Sequence, residues 1–231
     1  MNTLRAENLS FKNILSPINA TFEQGKLYGI VGPNGSGKTT LLKSLIGLLP
    51  PTTGATLWNE KPLNLLDRKA ISHTLSFVPH HPPIYFDYTA SEIVEMGAYA
   101  KNHTSSESVM AALAEVQMES FAGRNIRTLS SGEKQLVYIA RSLAASTPVL
   151  LLDEPTANLD VHHQIMVWKL LRKLVLSGVI VLVTVHDLRS AERETDEVAV
   201  IQNGHLVGMG AFEQTITEEV LNKVFYIAAI P

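Results

Sequence analysis

The chain has 231 residues and no cysteine. That excludes a disulfide framework, a thiol nucleophile and a cysteine metal site. It also lacks the run of about 18 apolar residues that a membrane-spanning helix requires. The longest apolar run, Val179-Ile180-Val181-Leu182-Val183, is β-branched and suits a central parallel strand instead. The first residues, Met1-Asn2-Thr3-Leu4-Arg5-Ala6-Glu7, carry no apolar segment of the signal-peptide kind. Charged residues are sparse at 18 % and the net charge is −3, so there is no electrostatic case for nucleic acid or for an anionic membrane surface. Internal repeats, low-complexity tracts and long linkers are missing too. Apolar residues, at 45 %, are not, and they provide core for one large α/β domain with or without a subdomain.

Against this background one octapeptide stands out. Gly32-Pro33-Asn34-Gly35-Ser36-Gly37-Lys38-Thr39 matches G-x-x-x-x-G-K-[ST], a phosphate-binding loop. Residues 27–31 before it read as a short buried strand, and residues 40–47 after it are apolar at helical spacing. Strand, glycine loop and helix are the setting the motif needs. Gly32, Gly35 and Gly37 let backbone N–H groups turn toward a polyphosphate, and the helix opening near Lys38 directs its positive end there. Lys38 is placed to reach the β- and γ-phosphates, and the Thr39 hydroxyl to ligate Mg²⁺.

Elsewhere, residues 1–26 read as short strands, with Ser16-Pro17 and Gln24-Gly25 as breakers. Further strands are expected at 55–58, 75–78, 149–152, 179–185 and 198–201, and Asn203-Gly204 marks a hairpin into 205–208. Residues 85–128 differ. Helical periodicity runs over 90–99 and 106–121, with starts at Ser91-Glu92 and Ser105-Ser106-Glu107, and no clear strand intervenes. A closing helix is expected over 213–225.

Leu150-Leu151-Leu152-Asp153-Glu154 is an apolar strand ending in two acids. Alone, such a pair is commonly a solvated strand end; beside a phosphate loop, Asp153 suits Mg²⁺ and Glu154 suits a general base for an attacking water. Leu129-Ser130-Ser131-Gly132-Glu133 opens a helix-like stretch and reads either as an ordinary N-cap or as a second anion-binding helix end.

Together these segments resemble the ATP-binding cassette (ABC) ATPases over nearly the full chain. The phosphate loop through Thr40, the signature-like Leu129-Ser130-Ser131-Gly132-Glu133, the strand ending Asp153-Glu154, Ala157-Asn158-Leu159-Asp160 and Val185-His186-Asp187 follow the family order. The resemblance implies an α/β fold: a P-loop NTPase (RecA-like) core with an N-terminal antiparallel β subdomain, over about 1–84 and 129–231, and an inserted α-helical subdomain over about 85–128. It implies ATP and Mg²⁺ as ligands and a head-to-tail homodimer. In that dimer Ser130, Ser131, Gly132 and Glu133 of one copy close over the nucleotide of the other, Asp160 helps join the halves, and His186 contacts the γ-phosphate within its own copy.

The pattern departs from the family in three places. Ser131 stands where Gly is usual. His80, in Phe77-Val78-Pro79-His80-His81, stands where a coupling-loop Gln usually contacts the metal; an imidazole could accept a bond from metal-bound water and has its own titration range near pH 6.5. Phe11 is the nearest aromatic to the position that usually stacks on adenine, and it suits the core equally well. By resemblance, the ATPase works with transmembrane permease subunits, received on a surface including residues 80–88, and indirectly with a substrate-binding protein. It would then sit at the cytoplasmic face of the plasma membrane. Glu92-Ile93-Val94-Glu95-Met96-Gly97-Ala98-Tyr99 resembles importers of iron–siderophore, haem and cobalamin, and zinc or manganese importers share part of it. The adjacent pairs His80-His81 and His162-His163 have no ligand geometry. The rival reading is a non-transport ABC protein acting as an ATP-gated clamp.

Overall fold

The computed structural model describes residues 1–81, 86–98 and 105–226. Two sheets organise it. The first is antiparallel, in the order β2-β1-β4-β5, and comprises β1 (Thr3–Phe11), β2 (Leu15–Glu23), β4 (Thr53–Trp58) and the two-residue β5 (Lys61–Pro62). The second has the order β10-β9-β3-β8-β7-β6. Its strands are β3 (Leu27–Val31), β6 (Leu75–Val78), β7 (Val149–Leu152), β8 (Ile180–Thr184), β9 (Glu197–Gln202) and β10 (His205–Gly210). All neighbours in it are parallel except the β9–β10 hairpin. The fold is α/β, of the P-loop NTPase type.

The central strands are apolar on both faces because both faces are covered. On one side Tyr28, Ile30, Leu151 and Leu182 pack with Leu41, Leu42 and Leu45 of α1 (Lys38–Leu45) and with the antiparallel sheet. Leu150, Leu152, Val181 and Val183 alternate to the other side. There they meet the helices that follow β6: α3 (Ala90–Ala98), α4 (Ser106–Ala114), α5 (Ser131–Ala145) and α6 (Val161–Leu176). Among the described residues are also the short helices α2 (Arg68–Thr74), α7 (Leu188–Glu194), α8 (Phe212–Thr215) and α9 (Glu218–Phe225).

Several local expectations need correction. Ser16-Pro17 breaks nothing, because both residues lie inside β2. That strand ends the row of its sheet, where a residue without an N–H is tolerated. The helix expected over 106–121 stops at Ala114: Gln117 takes a left-handed φ of 58°, and only one 3-10 turn, Glu119–Phe121, follows. Helix α3 is capped two residues earlier than Ser91-Glu92 implies, at Thr89. The Glu92 carboxylate accepts from the Thr89 N–H at 2.7 Å and from its hydroxyl at 2.8 Å. The closing helix is two, α8 and α9, because Thr217 caps a fresh start by accepting from the Val220 N–H. The Asn203-Gly204 turn forms with both residues left-handed, at φ 48° and 78°. Tyr99, and Pro82, Pro83, Ile84 and Tyr85 of the expected permease surface, lie outside the described residues.

Candidate functional site

Strand β3 delivers the phosphate loop from the middle of the sheet. A Cβ on Gly32 would lie 2.0 Å from the Ile201 carbonyl oxygen, so only glycine fits against β9. Gly35, at φ 75°, has nothing within 4 Å of where its Cβ would be, which leaves open space above the loop. The Gly204 N–H of the β9–β10 turn donates to the Ser36 carbonyl at 2.8 Å and backs the loop from behind. The Ser36 hydroxyl is buried, with no hydrogen-bond partner among the described residues. Lys38 is 7 % exposed and donates to the carbonyls of Gly32 (2.8 Å) and Pro33 (3.0 Å). Burial pushes its ammonium below the usual lysine range, against the pull of Glu154 and Asp153. A cleft of about 190 Å³ opens here, lined by Asn34 to Thr40, Ile14 and Glu154.

Parallel register brings the remaining groups to that cleft. Val78 pairs with Leu152, and Leu152 with Val183, so the tips of β6, β7 and β8 end level. Asp153, 5 % exposed, accepts from Thr39 Oγ1 at 2.8 and 3.0 Å and from Thr184 Oγ1 at 2.8 Å. The Thr184 hydroxyl accepts in turn from the Glu154 N–H at 2.8 Å. Glu154 has a left-handed backbone at φ 51°, a conformation that a non-glycine residue adopts at a cost. Its carboxylate Oε2 meets His186 Nε2 and lies 3.1 Å from His80 Nδ1. His80 stacks on His81, with ring centroids 3.9 Å apart.

Helix α5 begins with a complete capping box. Glu133 N–H donates to Ser130 Oγ (3.2 Å), and Ser130 N–H donates to Glu133 Oε2 (2.7 Å). The Ser130 backbone N–H is the main reason the Glu133 carboxyl lies below its usual range. Gly132 is held close to the Asn158 carbonyl, 2.8 Å from where its Cβ would be. Ser131 is the first residue of α5. Asp160 caps α6, accepting from the His163 N–H at 2.9 Å, which holds its carboxyl below the usual range. Phe11, 8 % exposed, is packed in the core shared with the antiparallel sheet, with the Lys12 ammonium 5.2 Å from its ring centroid. Ile14, 47 % exposed, lines the cleft where Phe11 was expected.

A family profile described as "ABC transporter" matches residues 15–157. The chain belongs to the ABC transporter family. It is 38 % identical over 223 residues to a cobalamin import ATP-binding protein of Halobacterium salinarum, covering 94 % of this chain and 56 % of the relative. The chain therefore spans little more than half the length of that relative. It is 35 % identical to a hemin import ATP-binding protein of Rhodopseudomonas palustris, covering 98 % of this chain and 89 % of the relative. Among solved structures, the dimeric bacterial ABC transporter cassette MJ0796 is 27 % identical with a TM-score of 0.85, covering 91 % of this chain and 99 % of that one. No helix among the described residues is long and apolar enough to cross a membrane.

The donor set of this ABC domain fits Mg²⁺. Thr39 and Asp153 supply adjacent hard oxygens. Among the described residues no group of three or more His, Cys, Asp or Glu side chains could hold a metal alone. A magnesium site completed by phosphate and water oxygens has that composition. Two residues escaped the sequence reading. Thr184 could have been found as the one hydroxyl within an otherwise apolar buried strand. Ile14 gives no signal, since an exposed Ile in a turn looks like any other.

Proposed function

We propose that this chain is the ATP-hydrolysing subunit of an ABC importer that powers uptake of a metal chelate of the iron–siderophore, haem or cobalamin class through a separate membrane permease. The observation that carries the reading is the convergence of Lys38, Thr39 and Glu154 on one cleft, with Asp153 bonded to Thr39 behind it. The chelate class rests on the similarity to the cobalamin and hemin import ATP-binding proteins. We read the chain as one nucleotide-binding domain whose helical portion spans about 85–128.

In this reading the loop N–H groups and Lys38 hold the phosphates and offset charge as it develops. Mg²⁺, held by Thr39 and Asp153, would neutralise phosphate charge and orient the γ-phosphate. Glu154 accepts a proton from the attacking water, and His186 steadies that carboxylate before contacting the γ-phosphate. A second copy brings Ser130, Ser131, Gly132 and Glu133 over the nucleotide, with Asp160 at the seam; the dimeric state of MJ0796 supports this arrangement. An open groove of about 970 Å³ between the helices and the core includes Phe77, Pro79, Met96, Gly97, Tyr138 and Arg141. Its mixture of apolar and basic side chains suits a permease element, which would hold the chain at the cytoplasmic face of the membrane.

Glu154→Gln tests the base. Turnover is expected to vanish while ATP binding persists and an ATP-bound dimer accumulates, as read by light scattering. Near-normal hydrolysis by that variant overturns the assignment.

A further inference from the structure

The His80 ring occupies a place that strand register dictates. Val78 pairs with Leu152 across β6 and β7, and the Asp153 N–H continues the ladder by donating to the Val78 carbonyl at 2.8 Å. Two residues beyond Val78 and Leu152 stand His80 and Glu154. The two strand tips therefore deliver an imidazole and a carboxylate side by side, and His80 Nδ1 comes to 3.1 Å from Glu154 Oε2. His186 Nε2 meets the same oxygen. The stacked ring of His81 limits how far His80 can swing.

We propose that His80 is a positioning residue for Glu154, acting through Nδ1. The inference rests on the reading of Glu154 as the base. Two imidazoles directed at Oε2 leave Oε1 free for the proton of the attacking water, and together they fix a side chain that leaves a left-handed backbone. Contact through Nδ1 requires the hydrogen on that nitrogen. In the neutral ring Nε2 is then an acceptor. Nδ1 itself then has no lone pair to offer a metal, and its role is to hold the carboxylate.

The two nitrogens can be told apart by substitution. An Asn side chain sets its amide nitrogen near the position of histidine Nδ1, whereas Gln reaches the position of Nε2. His80→Ala is expected to lower kcat about tenfold or more with KM for MgATP changed less than about threefold, the mark of lost positioning rather than lost binding. His80→Asn should recover most of that loss, and His80→Gln should not. An unchanged kcat in His80→Ala, recovery by Gln, or recovery by neither variant overturns the proposal. Glu154→Gln is assayed in parallel, because hydrolysis by that variant would remove the base itself whatever the His80 series does.

Discussion

At the scale of single residues, a hydroxyl between two acids decides the geometry. Thr184 is 1 % exposed, donates to Asp153 and accepts from the Glu154 N–H. Valine has nearly the same shape but would leave that N–H unpaired, at a cost of about 1–3 kcal/mol. Thr184→Val is therefore expected to lower the urea midpoint and, by releasing the Glu154 backbone, to cut turnover about tenfold. Thr184→Ser keeps the hydroxyl and both properties. Wild-type turnover in the valine variant would refute this role. The turn of the glycine loop was legible from the sequence, because Gly35 and Gly37 take positive φ of 75° and 108°, which glycine adopts without steric cost. Phe11 was not, because an aromatic at a strand end serves a core or a ligand equally, and here the core has it.

Elements are governed by their ends and crossings. The Glu133 carboxyl is held below its ordinary value near 4.5, first by the Ser130 backbone N–H. A depressed carboxyl contributes stability that is complete above its unfolded pKa and is lost as pH falls through the folded one. Glu133→Gln should therefore be less stable than wild type at pH 7, by no more than about 1 kcal/mol at this solvated site. The gap in urea midpoint should close as pH drops below about 4.5; a gap independent of pH would contradict the charge-assisted cap. Helix α3 crosses α5 at Gly97, where a Cβ would lie 1.9 Å from the Arg141 carbonyl oxygen. Propensity alone favours alanine over glycine by about 1 kcal/mol, but overpacking costs about 1–3 kcal/mol, so the helices would have to part. Gly97→Ala is expected to lower the thermal midpoint, and an increase would show that the crossing is loose. Periodicity disclosed the long elements, and the tight turn at Asn203-Gly204 disclosed itself. Helix ends escaped prediction where the cap lay two residues before the expected start, as at Thr89, or where a left-handed residue such as Gln117 intervened. Contacts such as His80 with Glu154 depend on register between strands about 70 residues apart, which periodicity does not carry.

For the molecule as a whole, strand order matters more than any one contact. Among the described residues β3, which presents the phosphate loop, pairs only with β8 and β9, and both come after residue 179. A fragment ending at residue 176 would retain every phosphate-loop residue and Asp153-Glu154, yet should bind no ATP by equilibrium dialysis; retention of micromolar affinity would refute this dependence. The turn that backs Ser36 arrives later still, at Gly204. During synthesis, then, most of the polypeptide must leave the ribosome before a nucleotide has anywhere to settle. ATP can reward the finished domain, but it cannot act as a template for the growing one.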